Sequence, residues 1–149
     1  MRKLETTLAV VSAIAVVLKI LHIPLAGILT MIVLPVFSIL YYPFGFLTLN
    51  NIRFRDIFKK SAYQGISPLR IMGTIFVGMS LPSLIYGILF KVFSYEGAGT
   101  MLITGLICLF ITTIVATVKY VKTHSQFYVE ILVRIAIMGG LGLLFLLLF

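Results

Sequence analysis

Five apolar stretches long enough to cross a lipid bilayer occupy most of this chain and determine the solvent in which it folds. They cover residues 8–23, 25–47, 71–90, 99–118 and 131–149. A helix that crosses ~30 Å of hydrocarbon needs about 20 apolar residues, because each residue adds only ~1.5 Å. Hydrophobic residues make up 61% of the sequence and charged residues 11%, which excludes a water-soluble domain of this size. The sequence therefore predicts an all-α polytopic membrane protein with five transmembrane helices.

The chain divides into two helical hairpins and one further helix, within a single integral membrane domain over residues 1–149. We place the first hairpin at about 8–47, the second at about 71–118 and the last helix at about 123–149. Thr123 and Gln126 have the spacing of a capping box, which marks the start of that last helix. The first apolar stretch follows Arg2 and Lys3 as in a signal peptide, but a second apolar run comes directly after it. We therefore expect a retained anchor.

The positive charge of the chain indicates its orientation in the membrane. Of the twelve Lys and Arg residues, all but Lys19 and Lys91 lie near the N-terminus, within residues 53–70 or within residues 119–134. Basic loops stay on the cytoplasmic side, so we expect a bacterial inner-membrane protein with a cytoplasmic N-terminus and a periplasmic C-terminus. The formal net charge of +8 is then a topology signal. Its default partner is the lipid bilayer with its anionic headgroups, not nucleic acid.

Residues 51–66, which join the two hairpins, are predicted to form an amphipathic helix in the plane of the cytoplasmic interface. Apolar residues recur there at one helical spacing, and they are Phe54, Ile57, Phe58, Ala62 and Ile66. Basic residues occupy the rest of the surface, namely Arg53, Arg55, Lys59 and Lys60. This pattern is typical of helices that lie on a membrane. The alternative is a basic loop without fixed structure.

The two hairpins contain an internal repeat. Residues 18–27 align with residues 90–99 at a constant offset of 72. Three positions are identical in the two copies, and they are Lys19/Lys91, Ala26/Ala98 and Gly27/Gly99. The turns between these positions contain His22 and Pro24 in the first copy and Glu96 in the second. Both copies end an outward stretch and begin an inward one, so the repeat is parallel and not of the inverted type common in transporters.

The sequences of these turns, VLKILHIPLAG and LFKVFSYEGAGTMLITGL, are similar to a known hairpin. They resemble the two-span hairpin of the GldL family, inner-membrane proteins of gliding motility and type IX secretion in Bacteroidota. In motor members of that family, a carboxylate inside the second helix of the hairpin gains and loses the proton that drives motion. The resemblance places this position near Phe37 and Leu109, which are both apolar. We therefore expect GldL-like hairpins, apparently duplicated, without the motor function.

The titratable residues do not form a catalytic or metal-binding pattern. The acidic residues are Glu5, Asp56, Glu96 and Glu130, and none lies in the middle of a predicted span. We therefore expect no buried charge, no acid–base pair and no metal site. No glycine-rich phosphate loop is present, so we expect neither a cofactor nor enzyme activity. The single cysteine, Cys108, is interpreted as a small core residue.

Two features of the external turns allow more than one interpretation. His22 is either a helix-end residue with its imidazole at the interface, or a proton-sensing or partner-docking residue. Lys19 and Lys91 either extend toward the external headgroups or form a matched pair of cations that line a cavity.

The sequence favours a non-enzymatic scaffold or accessory subunit of a membrane complex, in contact with a membrane-protein partner or with further copies of itself. The alternative is a small transporter or channel that acts as an oligomer. Its path would be lined by polar residues of the apolar stretches, namely Thr30, Ser38, Thr104, Thr112 and Thr113. A lipid-modifying enzyme is disfavoured, because the acidic and histidine residues do not share one membrane depth.

Overall fold

The computed structural model describes residues 2–42, 44–50 and 52–148. In these residues it is an all-α structure, with helices joined by turns and no β-strand. The side chains of Arg2, Phe54 and Leu69 lie outside that description, as do Met1, Pro43, Asn51 and Phe149. Six α-helices follow one another along the chain: α1 (Arg2–Ile20), α2 (Ala26–Tyr41), α3 (Gly45–Leu49), α4 (Pro68–Val92), α5 (Ala98–Thr123) and α6 (Gln126–Leu148).

Among the described residues, three segments are long and apolar enough to cross a membrane by length and composition, and they are Arg70–Val92 of α4, Ala98–Thr123 of α5 and Gln126–Leu148 of α6. Helix α2 is apolar but has only 16 residues. The predicted stretch 25–47 is not one helix, since α2 ends at Tyr41 and the short α3 begins at Gly45. The membrane character expected from composition is thus carried most clearly by the second half of the chain.

The turn between α1 and α2 has the same backbone geometry as the turn between α4 and α5. Helix α1 ends at Ile20 and α4 at Val92, while α2 begins at Ala26 and α5 at Ala98, so both boundaries keep the offset of 72. The equivalent residues His22 and Ser94 have φ values of 57° and 55°. Their amides donate to the equivalent carbonyls of Lys19 and Lys91, at 3.0 and 3.1 Å. Different side chains therefore fold into the same turn.

Helix α4 forms the centre of the bundle, where it packs against α2, α3, α5 and α6. Its buried side chains alternate with glycines that bring neighbouring backbones close together. A Cβ built on Gly45 of α3 would lie 2.5 Å from the Cα of Gly78, and a Cβ built on Gly87 would lie 3.0 Å from the amide nitrogen of Leu102 in α5. Small residues at such crossings allow helices to approach without side chains between them.

The prediction of an amphipathic helix over residues 51–66 is wrong. The segment instead forms two 3₁₀ turns, Phe54–Asp56 and Lys60–Tyr63. Arg55 and Lys59 would be like charges at i and i+4 on a helix, which destabilises it.

The last helix starts later than the capping-box pattern indicates. Thr123 belongs to the last turn of α5, where its hydroxyl donates to the carbonyl of Lys119 at 2.8 Å. Helix α5 ends at Thr123, and His124 caps it in the left-handed conformation with φ 47°, a place that glycine often takes. Helix α6 then begins at Gln126.

Candidate functional site

The repeat residues of the α1–α2 and α4–α5 turns meet at one end of the bundle. The Lys19 ammonium lies 4.9 Å from the ring centroid of Phe93, which belongs to the other hairpin. Ala26 and Ala98 are buried at the starts of α2 and α5, and Gly27 and Gly99 follow them half-buried. His22, Pro24 and Glu96 are exposed, and Lys91 is half-buried. Neither lysine lines any of the three cavities described below, so the matched pair of cations around a cavity is not found there.

The connecting segment between α3 and α4 has no continuous apolar face. The side chain of Phe58 is 97% exposed, whereas Ile57, Ala62 and Ile66 are half-buried. The side chain of Phe54 lies outside the described residues. Of the basic set, Arg53, Arg55, Lys59 and Lys60 are all exposed, and Lys59 pairs with Asp56 at 2.8 Å. Among the described side chains, the segment therefore presents the exposed ring of Phe58 among cations and not an apolar stripe.

The main polar cluster of the bundle joins its first and last helices, and we call it the Glu5 cluster. The Arg134 guanidinium of α6 donates to both carboxylate oxygens of Glu5 in α1, with Nε–Oε1 at 2.7 Å and Nη2–Oε2 at 2.9 Å. The hydroxyl of Tyr41, at the end of α2, donates to the same carboxylate. Glu130 lies one turn from Arg134, with its Oε2 3.8 Å from Nη1.

The Glu5 cluster is largely withdrawn from the surface, which overturns the expectation of no buried charge. Glu5 is 8% exposed and Tyr41 2% exposed. Bidentate pairing of a guanidinium with a carboxylate is the geometry that best offsets the loss of hydration. The sequence contained one signal for this pair, because Arg134 lies inside the apolar stretch 131–149. A charged residue within a span is expected to find a partner, but the sequence did not identify Glu5, 129 positions away.

A groove separates α1 from α6 below the Glu5 cluster, and we call it the α1–α6 groove. One cavity of about 450 Å³ contains Glu5, Tyr41, Glu130 and Arg134 at its polar end. A second, almost wholly apolar cavity of about 450 Å³ continues along α1 as far as Ile20 and along α6 as far as Phe145. The two cavities share Ala9, Phe37, Ile137 and Met138. They form one groove with a charged end and an apolar length.

Three small residues of α1 line the apolar cavity beside larger aliphatic ones, which are Val10, Val16, Val17 and Ile20. Ala9, Ser12 and Ala13 all line the apolar cavity. The Ser12 side chain is 6% exposed, and its hydroxyl has no hydrogen-bond partner among the described residues. A buried hydroxyl without a partner costs roughly 1–3 kcal/mol. A molecule that entered the groove and offered an acceptor or donor to Ser12 would remove that cost.

The polar residues considered for a transport path do not converge on one channel. The Thr30 hydroxyl lies 3.0 Å from the carbonyl of Ala15 and 2.8 Å from that of Ala26, and so ties α2 to α1. Thr112 and Thr113 bond to carbonyls of their own helix. Ser38 is buried and Thr104 exposed, and of the five only Thr112 lines a described cavity.

The remaining predicted positions lie in the core or near it. Phe37 and Leu109, the positions of the motor carboxylate in the resemblance, are 4% and 2% exposed, and Cys108 is half-buried. Among the described residues, no group of three or more His, Cys, Asp or Glu side chains is close enough to hold a metal ion.

Comparison of the chain with models of protein families finds no match, and comparisons with curated proteins and with solved structures find none either.

Proposed function

We propose that this chain is a five-span, non-enzymatic membrane protein with GldL-like hairpins, which serves as a scaffold or accessory subunit of a membrane complex. We propose further that the α1–α6 groove receives a transmembrane helix of its partner. The N-terminus would be cytoplasmic and the C-terminus periplasmic, in a bacterial inner membrane.

The position of the external turns supports five spans. The contact between Lys19 and Phe93 keeps the α1–α2 turn beside the α4–α5 turn. If α4 and α5 cross the membrane, the first turn must lie on the same side as the second. With 19 residues, α1 extends about 28 Å, which matches the hydrocarbon thickness in length. Lys3, Glu5 and Lys19 lie near its ends, and by composition α1 is not among the helices that are apolar enough to span. The ion pair of Glu5 with Arg134 reduces the cost of placing either charge near the hydrocarbon.

The observation that carries the proposed function is the groove itself, which has three small residues of α1 in its wall and the buried hydroxyl of Ser12 beside it. Without a hydrophobic driving force between helices, association within a membrane depends on close packing at small residues and on interhelical hydrogen bonds. Ala9 and Ala13 on α1 provide close approach. The Ser12 hydroxyl, which is buried without a partner, would provide the hydrogen bond after its side chain rotates toward the groove. An acyl chain would fill the apolar volume but would leave Ser12 without a partner. The groove therefore favours a helix that carries a polar group at the depth of Ser12.

The proposal is tested by placing a photoactivatable crosslinking residue at Ala13 of the full chain in its native membrane. A matched position is Ile107, which is 56% exposed on α5 and outside the groove. We expect one other membrane protein to be crosslinked from Ala13 and not from Ile107. The same adduct should be reduced severalfold by Ser12→Ala or by Ala9→Leu. Adducts only with lipid, or only with another copy of the chain, would contradict the proposal.

The transporter alternative makes a different prediction for the purified protein. Reconstituted in sealed vesicles at increasing protein density, an oligomeric channel would release a trapped solute or ion at a rate that rises more steeply than the protein content. A scaffold would not change the leak of the vesicles.

A further inference from the structure

A second polar cluster lies where α4, α5 and α6 meet, at the end of the bundle that the proposed topology makes cytoplasmic. Its centre is Arg70, in the first turn of α4. The Arg70 Nε donates to the Asn50 side-chain oxygen at 2.9 Å, and the guanidinium carbon lies 3.5 Å from the ring centroid of Phe127. The Asn50 amide donates in turn to Thr74 at 3.0 Å. The guanidinium is thus held in one orientation by groups that carry no charge.

No hydrogen bond or ion pair within the described part of the chain engages the two terminal nitrogens of Arg70. Among the described residues, no carboxylate lies within ion-pair distance of Arg70 or of Lys119, which faces the same cavity from α5. Ser67 and Tyr128 line the cavity as well. An Arg fixed by stacking and by one hydrogen bond, with its outer edge free, has the donor geometry that matches a phosphate group.

The size of the cavity restricts what this edge can bind. Its volume is about 100 Å³, which is well below the ~300–1,000 Å³ of pockets for drug-sized ligands. A single tetrahedral oxyanion fits such a space, and a second cation opposite the guanidinium would bind its remaining oxygens.

We propose that Arg70 and Lys119 form a binding site for one phosphate group, presented by a phospholipid headgroup or by a free phosphate ion. The site is separate from the α1–α6 groove, and nothing in it depends on the scaffold assignment. The Asn50 and Phe127 contacts act on Arg70 by positioning, since they fix the guanidinium before the anion arrives. The site thus differs from the general attraction of basic loops to anionic lipid, because it would bind one phosphate group at one defined position.

The experiment compares Lys119→Gln with Lys122→Gln in the purified full chain. Both changes remove one positive charge from exposed residues near the end of α5, but only Lys119 lines the cavity. Native mass spectrometry counts the phospholipid retained by each protein in neutral detergent, with a dioleoyl phosphatidic acid titration. A second titration with inorganic phosphate, followed by thermal unfolding, separates the two sources of the group.

We expect one retained phospholipid, or stabilisation by phosphate ion, in the original chain. Lys119→Gln should weaken this binding about tenfold, as expected for one charge-assisted hydrogen bond, while Lys122→Gln should change it less than about twofold. Arg70→Lys keeps the charge but loses the fork and the stacking, and it should weaken binding as well. Equal effects of the two lysine variants, or no binding of either phosphate source to the original chain, would overturn the site.

Discussion

The side chain of Glu5 connects the first helix of the chain to the last helix. Its carboxylate accepts two hydrogen bonds from Arg134 and one from Tyr41, so α1, α2 and α6 meet at one side chain. When one partner of a buried ion pair is removed, the other charge remains without compensation. Glu5→Gln keeps the shape but leaves Arg134 with only the more distant Glu130, at 3.8 Å. We expect it to reduce the free energy of unfolding by about 3 kcal/mol, measured by denaturation in detergent micelles.

The exposed pair of Asp56 and Lys59 provides the control for this prediction. Asp56→Asn removes the same kind of charge from a pair in which Lys59 is 65% exposed. Exposed pairs contribute only ~0–1 kcal/mol. Tyr41→Phe should have an intermediate effect, since it removes one hydrogen bond and retains the ion pair. Equal losses for Glu5→Gln and Asp56→Asn would show that the Glu5 cluster does not hold the helices together.

Leu25 adopts a backbone conformation that suits glycine. Its φ is 66°, and its repeat equivalent is Gly97 with φ 83°. A bulky residue in the left-handed region costs roughly 1–2 kcal/mol, and the side chain of Leu25 is 77% exposed, so little packing offsets that cost. We expect Leu25→Gly to raise the free energy of unfolding by about 1 kcal/mol. Leu21→Gly, which changes an exposed residue at negative φ, should not stabilise the protein.

At the scale of the elements, the contact of α3 with α4 depends on two glycines. A Cβ on Gly45 would lie 2.5 Å from the Cα of Gly78, and one on Gly78 would lie 3.1 Å from the carbonyl of Tyr41. Because these neighbours are backbone atoms, they do not move away as a flexible side chain would. We expect Gly45→Ala to destabilise the protein by about 1–3 kcal/mol, the usual cost of overpacking.

The matched control for the helix contact is Gly140→Ala in α6, where a Cβ would meet nothing within 4 Å. Alanine favours the helix over glycine by up to ~1 kcal/mol, so this variant should be neutral or slightly more stable. Thermal unfolding of both variants in the same detergent distinguishes the two effects. Similar behaviour of the two would contradict the close approach of α3 and α4.

The elements also show which parts of the fold can be predicted from sequence. Hydropathy predicts the positions of α4, α5 and α6 well, because each contains a long apolar run that is favoured in lipid over water. The aligned positions Lys19 and Lys91 locate two turns whose backbones coincide residue by residue. The segment 51–66 could not be predicted from its apolar spacing, since periodicity does not include the repulsion of Arg55 and Lys59. The end of α5 and the start of α6 depend on the left-handed conformation of His124. No sequence pattern indicates that His124 takes the position that a glycine usually occupies.

The candidate sites are less accessible to sequence analysis than the helices. Glu5 and Arg134 are separated by nearly the whole chain, and only the packing of α1 and α6 around α4 brings them together. In the sequence, Arg70 is indistinguishable from the other cations of the basic segment. Only the structure shows that Asn50 and Phe127 contact its guanidinium. A charge in a membrane helix predicts that a partner exists. It does not predict which residue the partner is.

At the scale of the whole molecule, a topology with five spans differs from one with three spans in the side of the membrane on which the α1–α2 turn lies. In both arrangements the proposed orientation places the connecting segment around Ser61 in the cytoplasm and the turn at Ser94 outside. Only five spans place Leu21 outside, and the 4.9 Å contact of Lys19 with Phe93 keeps the two turns together. Leu21 is 64% exposed, so a cysteine there would be accessible to reagents.

We expect Leu21→Cys and Ser94→Cys, each in a Cys108→Ala background, to react in intact spheroplasts with a maleimide that does not cross the membrane. Ser61→Cys should react only after the membrane is opened, since residues 53–60 keep their four cations on the cytoplasmic side. If Ser94→Cys reacts from outside and Leu21→Cys does not, then α1 and α2 remain on the cytoplasmic side and the Lys19–Phe93 contact is not formed in the membrane. The reagent thus tests the topology and the contact that supports it in one measurement, with Ser61→Cys as the control for membrane integrity.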